Sequence, residues 1–182
     1  MNSNNIDNWI NHKGQKLLRE IGLKEGQTVL EFGCGQGNYT LPSSLILGEK
    51  GIIYSFDKNK NVLNDLKQKI RKKALKNIKL INSEDTLNSS ISDNSVDTVL
   101  LYDIIHLLKN RKKLLKEIYK VTKPNGILSV YPKHHESHMN MSKNEIIKEI
   151  ESIGFKFEKT LLKTLMHDSK IEKGYILNFR RK

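Results

Sequence analysis

A short apolar run, Thr28-Val-Leu-Glu-Phe32, passes without a break into Gly-Cys-Gly-Gln-Gly at 33–37. Three alternating glycines after a strand-length run mark a tight turn beside something that a Cβ would obstruct. The run itself is apolar enough for the interior of a sheet.

The rest of the chain alternates in the same way. Apolar runs of strand length occur at Gly51 to Phe56, Ile78 to Ile81, Asp97 to Tyr102 and Ile127 to Tyr131. Between them lie helical stripes. Asn8 to Ile21 carries Trp9, Ile10, Leu17, Leu18 and Ile21, and Tyr39 to Leu47 is short, with Pro42 tolerable in its first turn. Lys60 to Lys73 carries Leu63, Leu66 and Ile70, and Arg111 to Val121 is stopped by Lys123-Pro124-Asn125-Gly126. Ser142 and Glu145 have capping-box spacing ahead of a helix that Gly154 ends. Two last strands, near Phe155 to Leu165 and Tyr175 to Phe179, are too close for an intervening helix and must pair antiparallel. The pattern predicts an α/β fold with a doubly wound, mostly parallel sheet of seven strands and helices on both faces.

One cysteine, Cys34, excludes an internal disulfide. The first residues lack the apolar core of a signal peptide, and no stretch reaches the roughly 20 apolar residues of a membrane span. These features predict a cytoplasmic protein, a single domain over 1–182 with residues 1–22 as an N-terminal helix or lid on a core of 23–182. The formal charge of +12 invites a nucleic-acid partner. Yet arginine occurs at only five positions, and its planar fork is what phosphate and base edges favour. Lysine on solvated faces accounts for the balance.

In an open α/β sheet, ligands bind at the carboxyl ends of the strands, where the 33–37 loop falls. A dinucleotide site would read G-x-G-x-x-G, but its third glycine position is Asn38 here. Glu31 at the strand end suits a cationic or amino group better than a pyrophosphate. Asp57, twenty residues past Gly37, is placed to accept from ribose hydroxyls. A ligand with adenosine and a cationic tail satisfies both acids.

The segments VLEFGCGQG, YSFDKN, NSEDTL, DNSVDTVLLYDIIHLL and LKEIYKVTKPNGILSV, in this order, resemble the class I S-adenosylmethionine-dependent methyltransferases. Within them the chain is similar to the small type-11 group that includes the ubiquinone/menaquinone C-methyltransferases, over roughly Leu17 to Phe179. The resemblance implies a Rossmann-like sheet with a reversed last strand, and S-adenosyl-L-methionine as cofactor with S-adenosyl-L-homocysteine as product. It implies that Glu31 and the backbone of Gly33, Cys34, Gly35 and Gly37 contact the methionine part, and that Asp57, with Lys58 beside it, binds the ribose. Asp85, or its neighbour Glu84, would hold the adenine amino group, Thr86 would supply backbone, and Tyr102 would line the methyl-transfer site.

Methyl transfer from a sulfonium is an in-line displacement, in which alignment supplies much of the rate. A general base is needed only when the accepting atom carries a proton. Tyr102, His106 and His135 are the candidate catalytic residues. His135 belongs to a polar loop with His134, Glu136 and His138, which could contact or deprotonate an acceptor; its neighbours point apart, so no metal site is expected. His106 reads as structural ahead of base, Asp103 is a further pocket candidate, and Asp97 starts its strand at the opposite edge and is structural. Cys34, between two glycines with no activating partner, is a small filler rather than a nucleophile. A small-molecule acceptor is expected, with RNA or protein methylation and a non-catalytic ligand-binding role as the rival readings. No membrane partner is expected, and the protein is a monomer or homodimer.

Overall fold

A computed structural model describes residues 3–84, 86–87, 91–133, 142–167 and 170–182. The chain opens with α1 (Ser3–Asn8), a π-helical turn (Trp9–Lys13) and α2 (Gly14–Ile21), one continuous rod in which Asn8, Lys13 and Gly14 are all helical. Then come β1 (Thr28–Phe32), α3 (Thr40–Leu47), β2 (Ile52–Asp57), α4 (Lys60–Lys72) and β3 (Ile78–Asn82). The second half holds β4 (Val96–Tyr102), a 3₁₀ turn (Ile105–Leu107), α5 (Arg111–Val121), β5 (Thr122–Tyr131), α6 (Lys143–Glu151), β6 (Phe155–His167) and β7 (Lys170–Arg181).

The seven strands lie in the order β3-β2-β1-β4-β5-β7-β6. Every pairing is parallel except those of β7, which runs antiparallel to both β5 and β6. Side-chain alternation splits the core in two. Val29, Leu100 and Tyr102 pack with α2, α3 and α4 on one face, while Leu30, Phe32, Val99 and Leu101 pack with α5 and α6 on the other. Both ends of the strands are thereby fixed, and the carboxyl ends of β1, β2 and β4 open onto one cavity.

Two boundaries differ from the sequence pattern for identifiable reasons. The Lys123–Gly126 segment does not precede the fifth strand but lies within it: Val96 pairs with Thr122 and Thr98 with Ile127, so four residues bulge opposite one, with Asn125 at φ 63°. The opening helix starts earlier and widens at Trp9, where the Gly14 N–H donates to the Trp9 carbonyl. A Cβ on Gly14 would stand 2.8 Å from that oxygen and 3.0 Å from the Trp9 ring, so this turn needs glycine. Trp9 is wholly buried, donates its indole N–H to the Asn38 carbonyl at 2.7 Å and meets Tyr39 edge-to-face at 5.7 Å. The N-terminal rod is thus anchored to the end of the glycine loop.

The capping box is present in full: the Glu145 N–H donates to the Ser142 hydroxyl and the Ser142 N–H to the Glu145 carboxylate. Asp97 takes the structural part expected of it, accepting from the Thr28 N–H at 2.8 Å and from Lys123 at 2.7 Å. Among the described residues, no helix is long and apolar enough to cross a membrane.

Candidate functional site

The cavity has a volume of about 510 Å³, a size that takes a cofactor-sized ligand. Its floor is the glycine loop. The Gly33 and Cys34 N–H groups both donate to the Phe56 carbonyl at 2.8 and 2.9 Å, folding the loop over the end of β2. The Gly35 N–H donates to Asp57 Oδ2 at 2.9 Å, and the Asn59 N–H to Oδ1 at 2.9 Å. Asp57 is therefore held as an oriented acceptor, with lone pairs remaining on each oxygen for hydroxyl donors.

From the sequence, all three glycines are expected against the ligand; the structure divides them. Gly33 and Gly35 line the cavity, and a Cβ on Gly35 would meet nothing within 4 Å, so its open side is where a ligand can approach backbone. Gly37 faces Leu66 of α4 instead. The Thr86 hydroxyl donates to Glu117 at 3.0 Å and its carbonyl accepts from the Ser83 hydroxyl. Lys58 and Glu84 line the wall beyond β2 and β3. Asp85, and the 134–141 loop with His134, His135, Glu136 and His138, lie outside the described residues.

Glu31 sits 2% exposed at the end of β1, accepting from the Thr40 hydroxyl at 2.5 Å. Burial, opposed by that hydrogen bond and assisted by the nearby Asp57 charge, raises its pKa to about 8. Buried this deeply, the ligand-free carboxyl holds its proton at neutral pH, and a cation in the cavity would favour its ionised form. Cys34 is buried, and its thiol is pushed well above the ordinary value by burial and by Glu31 and Asp57; it stays a thiol at neutral pH.

The opposite wall comes from β4 and β6. The Tyr102 ring lines it, but the hydroxyl is committed to Ser129 at 2.9 Å, which in turn donates to Asn178, while the Asn178 amide reaches the Ile21 carbonyl. Burial pushes the phenol pKa up, so Tyr102 offers a ring face and no base. Tyr39 stands edge-on to it at 4.6 Å. Asp103, Ile104, His106, Leu107 and Leu108 continue the wall, and Met166 and His167 close it. Sequence reasoning passes over these last two, because a hairpin strand carries no fingerprint. The hydroxyl of Tyr39 bonds both the carbonyl and the N–H of Met166, which ties the tip of β6 over the site. No group of three or more His, Cys, Asp or Glu that could hold a metal occurs among the described residues.

A mostly parallel α/β sheet with a reversed last strand carries a glycine loop and two acids, Glu31 and Asp57, at the carboxyl ends of β1 and β2, beside one cavity. Residues 23–176 match the family model described as a methyltransferase domain, and the chain belongs to that family, the class I S-adenosylmethionine-dependent methyltransferases. A structure of a SAM-dependent methyltransferase from Aquifex aeolicus superposes with a TM-score of 0.80 at 26% identity, covering 97% of this chain and 93% of that one. The demethylmenaquinone methyltransferase of Geobacillus stearothermophilus is 30% identical over 111 residues, 61% of this chain and 47% of its own length. That of Staphylococcus epidermidis is 28% identical over 171 residues, 93% of this chain and 67% of its own. The chain thus spans about half to two thirds of the length of these relatives.

The residues present fit S-adenosyl-L-methionine, the cofactor of the family. Glu31, once ionised, would face its amino and sulfonium charges, the open side of Gly35 leaves room for it at the backbone, and Asp57 would offer oriented acceptors to its hydroxyls.

Proposed function

We propose that the chain transfers a methyl group from S-adenosyl-L-methionine to a small aromatic acceptor of the quinol type. The observation that carries this reading is the make-up of the cavity: Glu31, Asp57, Glu84 and glycine backbone at one side, and at the other a wall of rings and apolar chains (Tyr102, Ile104, Leu107, Met166) set with Asp103, His106 and His167. The demethylmenaquinone methyltransferase relatives support the quinol class. The bound cofactor would supply a methyl group on a cationic sulfur. Glu31 and Asp57 would bind and orient it, while the rod anchored by Trp9 and the tip of β6 would exclude water. Holding the reacting atoms in line can account for much of the rate.

Three of the five arginines are engaged within the fold, which weighs against RNA as the acceptor. Arg180 pairs with Glu158 at 2.9 Å, Arg111 with Glu149 at 3.2 Å, and Arg181 donates to the Thr122 carbonyl at the far end of β5. Incubation with methyl-labelled cofactor and a fractionated lysate is expected to label the small-molecule pool. Label confined to RNA or protein would overturn the acceptor class.

Two predictions concern cofactor affinity. Asp57→Ala should weaken binding by about 1–3 kcal/mol, the scale of charged hydrogen bonds; unchanged affinity by calorimetry would remove the ribose assignment. The second is pH dependence. Glu31 carries a proton below about pH 8 in the ligand-free protein. A cationic ligand favours the carboxylate, so binding expels that proton. Affinity should rise by up to tenfold per pH unit below about pH 8 and level off above it. A flat profile from pH 6 to 9 would mean that Glu31 does not meet the cationic end.

A further inference from the structure

We propose that His167, held by Asp103, is the base that removes a proton from the acceptor, so that the acceptor is a protic nucleophile such as a hydroxyl. This rests on the methyl-transfer reading above and adds to it a proton acceptor and a requirement on the substrate.

The pair is built from two distant parts of the chain. Asp103 follows β4 directly, in the left-handed region at φ 54°, where non-glycine residues are uncommon. Its N–H donates to the Tyr131 carbonyl at 2.8 Å, which fixes that conformation. Strained backbone of this kind persists only where its surroundings enforce it, and it gathers at functional sites. Here it aims a carboxylate at the tip of β6: Asp103 Oδ2 lies 2.8 Å from His167 Nδ1. The second oxygen, Oδ1, is 3.8 Å from His106 Nδ1, beyond hydrogen-bond length. The carboxylate thus lies against His167, within hydrogen-bond distance, and stands farther from His106. Both members line the cavity, on the wall shared with Tyr102 and Met166 and across from Asp57 and Glu84. His167 is 14% exposed, sheltered yet reachable from the cavity.

The chemistry follows from the tautomer. An imidazole that gives its Nδ1–H to a carboxylate carries its accepting lone pair on Nε2, and the same carboxylate stabilises the imidazolium formed on protonation. Other groups on this wall serve less well. The Tyr102 hydroxyl is committed to Ser129, and Glu31 stands at the cofactor side. As the bond from the acceptor oxygen to the methyl carbon forms, the carbon–sulfur bond breaks and its electron pair stays on sulfur. The acceptor's proton passes to His167 Nε2 and later leaves to solvent. Asp103 acts through His167 and is a positioning residue.

Two readouts test this on the full chain. Long-range ¹⁵N–¹H NMR should find neutral His167 with its proton on Nδ1. In Asp103→Gly, which suits the left-handed backbone and removes the acceptor, the proton should shift toward Nε2. The second readout compares 1,4-naphthohydroquinone, which keeps its hydroxyl proton at pH 7.5, with thiophenol, largely a thiolate there. His167→Gln should lower kcat for the hydroquinone about a hundredfold, the usual scale for a general base. KM and cofactor Kd should stay within threefold, and so should the rate with thiophenol. An Nε2–H tautomer in the parent protein, equal losses with both probes, or no loss with the hydroquinone would each overturn the pair. If the parent methylates neither probe, the proposed acceptor class falls, and the tautomer alone decides whether Asp103 and His167 are coupled.

Discussion

Glu31→Gln should cost at least tenfold in affinity for S-adenosyl-L-methionine while making the ligand-free protein more stable at neutral and alkaline pH. The two effects share one cause. Glutamine keeps the size and can still accept from the Thr40 hydroxyl, but it cannot ionise. In the folded protein Glu31 has a pKa near 8, against 4.5 for the ordinary side chain. The sign follows from linkage. Below about pH 4.5 both folded and unfolded chains hold the proton, and nothing is lost. From there to about pH 8 only the unfolded chain releases it, so the parent protein loses stability as pH rises. The neutral variant escapes that loss, on the order of 4 kcal/mol by pH 8, read as a Tm gain on the order of 10 °C. Thermal melts at pH 5 and pH 8 measure it: the two proteins should nearly coincide at pH 5 and separate at pH 8. A variant less stable than the parent at both would show that Glu31 contributes to folding as a carboxylate, and that it is not a site acid kept at a cost.

Gly37→Val should damage the fold rather than the ligand-facing side of the loop. Gly37 has φ +84°, where a side chain is strained, and its Cβ would stand 2.4 Å from Leu66 Cδ1. Leu66 is fully buried among α2, α3 and α4, so it has little room to yield. Strain and overpacking together are worth about 3 kcal/mol, a fall in Tm of about 6–12 °C. Leu66→Ala in the same chain should recover part of the loss by clearing the clash, although it opens a cavity of its own. Gly35→Ala is the contrast. Its Cβ would have open space, so the expected result is a smaller loss of stability, from φ +50° alone, with weakened cofactor binding. Equal Tm losses at 35 and 37 would contradict the division of the loop into a packing glycine and a ligand-facing one.

Much of this was legible in the residues themselves. Parallel strands buried on both faces read as unbroken apolar runs, so β1, β2, β4 and the core of β5 stand out, and the stripes of α4 and α5 follow from helical period. The glycine loop and its two acids are local, within 27 residues of one another, so their spacing carries the cofactor site. What escaped depends on contacts remote in sequence. Gly37 cannot be told from Gly35 without knowing that Leu66 lies behind it. The pairing of Asp103 with His167 joins residues 64 apart, through a strand tip held by Tyr39. The π turn at Trp9 is set by Gly14 and the Asn38 carbonyl, for which periodicity has no signal. His106 read as structural ahead of base, and its place in the cavity wall depends on the fold around it.

The account stands or falls on what enters the cavity, and calorimetric titration of the parent chain with S-adenosyl-L-methionine is the direct measurement. One cofactor per chain should bind, with proton release at pH 7 detected by comparing buffers of different ionisation enthalpy. That release should vanish in Glu31→Gln. No binding, or binding with the same proton count and affinity in Glu31→Gln and Asp57→Ala, would contradict the assignment of this cavity to the cofactor.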